Sequence, residues 1–208
     1  MFKKCLFALM LWSATLAATG AMAGVADPPS GAESPGAAVQ GDAEENATRR
    51  VLEQFRSTHV ALSQAIAIAE HLHKGSRTAD ISFEISDVPV YRVRTVKNEK
   101  VWENVIDAKT GSITNGEIAS SLKELDREDL ANIIALKWIK QELSEAVRVA
   151  EKAAEASALA GGLMKQNGKL NFGVVVANGE RLKEVMLEPP KVRKAKVNSP
   201  LAQSVRRR

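Results

Sequence analysis

Apolar residues recur at i, i+3, i+4 and i+7 twice in this chain, at Leu62, Ala65, Ile66 and Ala69 and again at Leu143, Ala146, Val147 and Ala150. This is the stripe of a helix that buries one face. The stretches that carry it, LSQAIAIAE (Leu62 to Glu70) and LSEAVRVAE (Leu143 to Glu151), stand 81 positions apart. The spacing predicts two copies of one unit. In the first, Ser63 is the expected N-cap and Gly75 the left-handed residue at the helix end, with His71, His73 and Lys74 in the last turn where positive charge suits the helix dipole.

Beyond Gly75 the apolar period changes to that of strands. Ile81, Phe83 and Ile85 alternate with Ser82 and Glu84, Asp87-Val88-Pro89 turns the chain, and Tyr91, Val93 and Thr95 alternate with Arg92 and Arg94. A third strand, Val101 to Ile106, has two apolar sets, Trp102/Ile106 and Val101/Val105, so its buried face stays open. The first unit reads helix, strand, strand, strand over residues 58–114. Leu122 to Glu142 reads as a connecting helix capped by Asp126, within a helical connector over residues 115–142 expected to pack on one or both units.

The second unit, residues 143–190, keeps the register: Phe172 falls on Tyr91, Val174 on Val93, Leu182 on Val101 and Leu187 on Ile106. Its middle differs. Ala153 to Ala160 extends the helix, Gly161-Gly162 ends it, and the first strand shrinks to about Leu163–Gln166. Asn167-Gly168 and Asn178-Gly179 predict hairpins of the type that needs positive φ at both central residues.

A helix L-S-x-A-[IV]-x-[IV]-A-E, the aromatic-led strand Tyr91-Arg92-Val93-Arg94, and a strand closing on Asp107-Ala108-Lys109-Thr110-Gly111 together resemble the PepSY domain. The resemblance covers about residues 58–190 as two tandem copies. The second departs from it, because Glu188-Pro189-Pro190 stands where D-A-x-T-G belongs. It implies an α+β fold: two tandem units, each a helix on a small antiparallel three-stranded sheet of cystatin-like form, joined by the helical connector. It also implies an exported binding module that restrains or regulates a peptidase through protein contact, with no catalytic residues to carry over. Asp107, Thr110 and Gly111 are then structural residues of a closing turn.

Composition changes the picture mainly at the ends. Lys3 and Lys4, the short apolar run from Cys5 to Ala18, and Ala21-Met22-Ala23 have the form of a signal peptide over residues 1–23, cleaved near Ala23, which predicts a periplasmic or secreted protein. The mature chain then has no cysteine, which excludes disulfides and thiolate chemistry. Residues 24–48, rich in Ala, Gly, Pro and acids, read as a disordered tether. Losing Lys3 and Lys4 lowers the net charge from +4 to +2, and the seven basic residues of a disordered tail over 191–208 (Lys191, Arg193, Lys194, Lys196, Arg206, Arg207, Arg208) leave residues 24–190 at −5.

That division argues against nucleic acid as a partner. It leaves weak contact between the tail and anionic lipid as an alternative role, in a structural or sensory envelope protein. Candidate chemistry is sparse. His71 and His73 diverge on a helix, no carboxylate pair or nucleophile–base grouping is visible, and no enzyme, metal or cofactor is expected. Arg92 and Arg94 share one strand face and are the candidate partner-binding residues.

Overall fold

A computed structural model describes residues 36–190 apart from Ser86. Its elements are α1 (Gly36–Arg56), α2 (Leu62–Leu72), β1 (Arg77–Ile85), β2 (Pro89–Lys97), β3 (Lys100–Asp107), β4 (Ile113–Ser121), α3 (Arg127–Leu136), α4 (Leu143–Ala154), β5 (Ser157–Gln166), β6 (Lys169–Asn178) and β7 (Arg181–Leu187). The strands form one antiparallel seven-stranded sheet in the order β4-β3-β2-β1-β5-β6-β7. The fold is α+β, but two separate three-stranded sheets are not what forms. The strands that follow α2 and those that follow α4 join through Asp80↔Gly162, Ile81↔Gly161 and Ser82↔Ala160.

Side-chain alternation decides which face each helix covers. Ile81 and Phe83 of β1, Tyr91 and Val93 of β2, and Phe172 and Val174 of β6 lie in paired register and are almost fully buried. Over them pack α2, against β1 and β2, and α4, against β5 and β6, with the two helices in contact. Ile106 sits opposite Tyr91, so the Trp102/Ile106 set of β3 faces the helices. The repeated motif also ends in a carboxylate for a reason. Glu70 Oε1 accepts the Thr78 backbone N–H (3.0 Å) and hydroxyl (2.9 Å), and Glu151 Oε1 accepts the Ala158 N–H (3.0 Å), so each helix holds the start of the strand that follows it.

Four local expectations are corrected. Gly161-Gly162 does not end a helix: α4 stops at Ala154, Glu155 turns left-handed (φ +51°), and both glycines lie inside β5. They are small because of what lies beside them. A Cβ on Gly161 would lie 3.5 Å from Leu143 and Val147 of α4, and one on Gly162 would lie 3.0 Å from the Asp80 Cβ. Residues 113–121, split between the first unit and the connector, form the edge strand β4, and the connecting helix reduces to a single 3-10 turn at Leu122–Glu124 followed by α3. The N-cap of α2 is Ala61 rather than Ser63, with the Gln64 side chain accepting the Ala61 N–H at 2.8 Å. The tether is helical from Gly36, where Ala, Gln and Glu are strong helix formers, and Leu52 and Phe55 of α1 are buried, Phe55 edge-on to Phe83 at 5.4 Å.

The hairpins divide. Asn167 and Gly168 both have positive φ (51° and 76°). At Asn178-Gly179 only Gly179 does (62°), because Asn178 still pairs with Arg181. The connector packs on both β1 and β5 through α3, where Ile133 and Leu136 are buried, while Trp138 just beyond it is exposed.

Arg77 of β1 fixes the return to α4. Its guanidinium donates to the carbonyls of Leu136, Ile139 (2.8 Å) and Gln141 (2.9 Å) and to Glu142 Oε2 (2.8 Å). Arg77→Ala is expected to cost about 2 kcal/mol, the scale of hydrogen bonds from a charged group. It should also speed tryptic cleavage at Lys137 and Lys140, as followed by mass spectrometry. Unchanged cleavage would remove Arg77 as the clasp.

Candidate functional site

The sheet face away from α2 and α4 carries the charge. On β2, Arg92 and Arg94 point to it together, as their spacing requires, and each is bracketed by two carboxylates. Arg92 Nε and Nη2 donate to the two oxygens of Glu84 (2.9 and 3.0 Å), and its Nη1 donates to Glu103. Arg94 approaches Asp80 to 2.7 Å and grips Asp129 of α3 through Nη1 (2.6 Å) and Nη2 (3.2 Å). Burial opposes the charge on Arg94, but Asp80 and Asp129 outweigh it and raise its pKa.

These guanidiniums are therefore committed to carboxylates of their own chain. With four acids around two bases, the surplus on this face is negative. An acidic partner would have to displace those pairs, whereas a basic one meets the surplus directly.

Asp80 is the carboxylate of this cluster that burial affects most. Burial raises its pKa most; Arg94 opposes this through charge and hydrogen bonding, Asp129 and Glu103 add to it, and the carboxyl is pushed up to about 6. A folded pKa above the unfolded value means that stability from this group is fully present below about pH 4 and is lost as pH rises through about 6. Going from pH 7 to pH 5 is expected to gain about 1 kcal/mol from Asp80 alone. Denaturant midpoints at the two pH values test it, and the gain should vanish in Asp80→Asn; a carboxyl titrating near 4 by NMR would contradict it.

Beside this network, between the β3–β4 edge and the start of α3, runs an open groove of about 290 Å³. Glu103, Glu124, Asp126 and Asp129 line it together with Val101, Ile118 and Leu125, and Arg94 is the cation among its lining residues. Asp126 caps α3, accepting the N–H groups of Glu128 (3.0 Å) and Asp129 (2.9 Å), as its position predicts. Sequence reasoning missed the groove because it missed β4, which supplies Ile118 and Ser120.

The Asp107–Gly111 turn is closed by its own hydrogen bonds. Asp107 Oδ1 accepts the Lys109 (2.8 Å) and Thr110 (2.7 Å) N–H groups, which holds its pKa low, and Gly111 takes φ +75° with a Cβ position 3.3 Å from Ile68 of α2. The Ala108 carbonyl accepts the N–H groups of His59 and Val60, and Tyr91 donates its hydroxyl to the Val60 carbonyl at 2.8 Å. The turn thus ties the β3–β4 connection to the entry of α2. His73 is not a solvated helix end. It stacks on Trp102 (centroids 4.0 Å apart) and pairs with Glu117 of β4.

Among the described residues no three His, Cys, Asp or Glu side chains are placed to hold a metal ion, and no helix is long and apolar enough to cross a membrane. Residues 1–23, expected to be a signal peptide, and the basic tail, Lys191 to Arg208, lie outside the described residues.

Residues 60–117 match the family model PepSY, described as "Peptidase propeptide and YPEB domain". That span holds α2 and β1 to β3 and reaches into β4. No curated protein matches the chain. Among solved structures, a "putative lipoprotein" from Clostridium difficile 630 is similar, with 21% identity, 64% of this chain and 89% of that chain covered, and a TM-score of 0.37.

Proposed function

We propose that this chain, with its PepSY domain at residues 60–117, is an exported, non-catalytic binding module that restrains or regulates a peptidase by protein–protein contact. The match over those residues carries the reading, since the family description joins the domain to peptidase propeptides. The leader pattern over residues 1–23 supports export to the periplasm or beyond.

Residues 143–190 are read as a second, diverged copy of the unit. In support, a helix and three antiparallel strands recur in the same order, and Glu70 and Glu151 make equivalent bonds to the strands that follow. Contact would use a sheet edge, where main-chain groups can pair with an incoming strand, or the charged face.

The test mixes the chain from Gly24 onward with purified envelope peptidases of the metallo and serine classes. Inhibition with a stoichiometric complex in at least one class is expected; neither inhibition nor complex in either class rejects the proposal. The basic tail favours a second reading, contact with anionic lipid, at roughly 1 kcal/mol for each basic residue near the surface. Equal liposome binding with and without residues 191–208 would remove it.

A further inference from the structure

We propose that the acidic groove beside β4 is the docking site of this chain's own C-terminal segment, residues 191–208. Of the four carboxylates that line the groove, Glu103 is paired with Arg92 and Asp129 with Arg94, while Glu124 and Asp126 accept backbone N–H groups and leave the lining with a negative surplus. Lys100, Lys123 and Arg127, each next in sequence to a lining residue, do not line it. The groove therefore selects a cationic occupant, and its apolar residues Val101, Ile118 and Leu125 select one with apolar side chains between the charges. The C-terminal segment is that chemistry: seven basic residues and no acid, with Leu201 and Val205 just ahead of Arg206–Arg208.

Topology puts the two within reach. β7 and β4 both run toward the end of the sheet where β2 ends and β3 begins, and the groove lies at that end, beside Val101 and Ser120. Six strand intervals separate β7 from β4, about 29 Å at the usual spacing. The 18 residues from Lys191 to Arg208 span up to about 60 Å when extended.

Edge strands are guarded by charged side chains, proline, bulges or a covering segment. The first part of β4 has irregular pairing with β3 and the charge of Glu117, but Ile118 to Ser121 carry no charge and no proline, and Ile118 is 52% exposed, so this stretch of the edge, beside the groove, is the part left to cover.

The chain from Gly24 onward lacks Cys5, so Ser204→Cys gives a single thiol for a nitroxide label. The expected result is loss of the amide NMR peaks of Ile118 to Leu125, with peaks of β6 and β7 retained. The peaks should return at about 1 M salt, where the screening length is about 3 Å, and in the exposed-site variant Ile118→Lys/Glu124→Lys.

No localised loss, loss that survives both the salt and the variant, or loss seen only between labelled and isotope-enriched copies in a mixture would each overturn docking within one chain. The salt arm needs no variant to fold. The readout involves no peptidase, so this inference and the peptidase reading fail independently.

Discussion

Phe172→Ala is expected to lower the stability of the entire described fold by about 3–5 kcal/mol, in one transition that includes the strands far from the mutation. Phe172 is fully buried on the helix-covered face and pairs with Leu163 and Leu187. Its removal opens a cavity that the neighbouring strands cannot close. The first half should feel this because the core is continuous: Ile66, Ile81 and Tyr91 belong to the same buried cluster as Val147, Phe172 and Val174. The three-pair seam between β1 and β5 is narrow, but α2 and α4 pack against each other across it, and α3 bridges β1 and β5 on the other side.

Trp102 of β3 is a reporter placed in the half that is not mutated. With Trp138→Phe in a chain that begins at Gly24 and so lacks Trp12, its urea-induced fluorescence change should shift together with the far-UV circular dichroism. A Trp102 transition left at its original midpoint while half the helical signal melts earlier would mean two independently stable units.

The features that were legible in the sequence are those set by local period and turn chemistry. The stripes of α2 and α4, the Tyr91-led strand, the Asn167-Gly168 hairpin and the Asp107–Gly111 turn each depend on residues close in the chain. Features set by distant neighbours were not legible. β5 contains Ala158, Ala160, Gly161 and Gly162, which favour helix or turn locally. It becomes a strand because β1 and β6 satisfy its backbone on both sides and α4 approaches too closely for larger side chains. β4 was hidden by its polar composition.

The surroundings of the candidate residues were hidden in a similar way. Position alone put Arg92 and Arg94 on one face, but their partners come from β1, β3 and α3. No spacing within β2 could show that both guanidiniums are already engaged, or that the face is left with an acidic surplus.

Arg94→Met is the second large effect, expected to cost about 3 kcal/mol at pH 7. Breaking a buried ion pair by deleting one partner costs about 3–5 kcal/mol, and the lower end applies because Arg94 and Asp80 keep 25% and 28% of their side-chain surface exposed. Asp80 is then left without its cation beside Asp129 and Glu103, and its carboxyl, already pushed up to about 6, must rise further. The cost should therefore shrink toward pH 5, where the proton replaces the guanidinium as the neutralising charge. Arg94→Met/Asp80→Leu should recover most of the loss, since apolar residues of similar volume often replace a buried pair without penalty. Urea titrations of both variants at pH 7 and pH 5 decide it, and a double variant no more stable than the single one would sink the argument. If the double variant recovers, stability does not require these charges on the face, and their place beside the acidic groove is better explained by what that face binds.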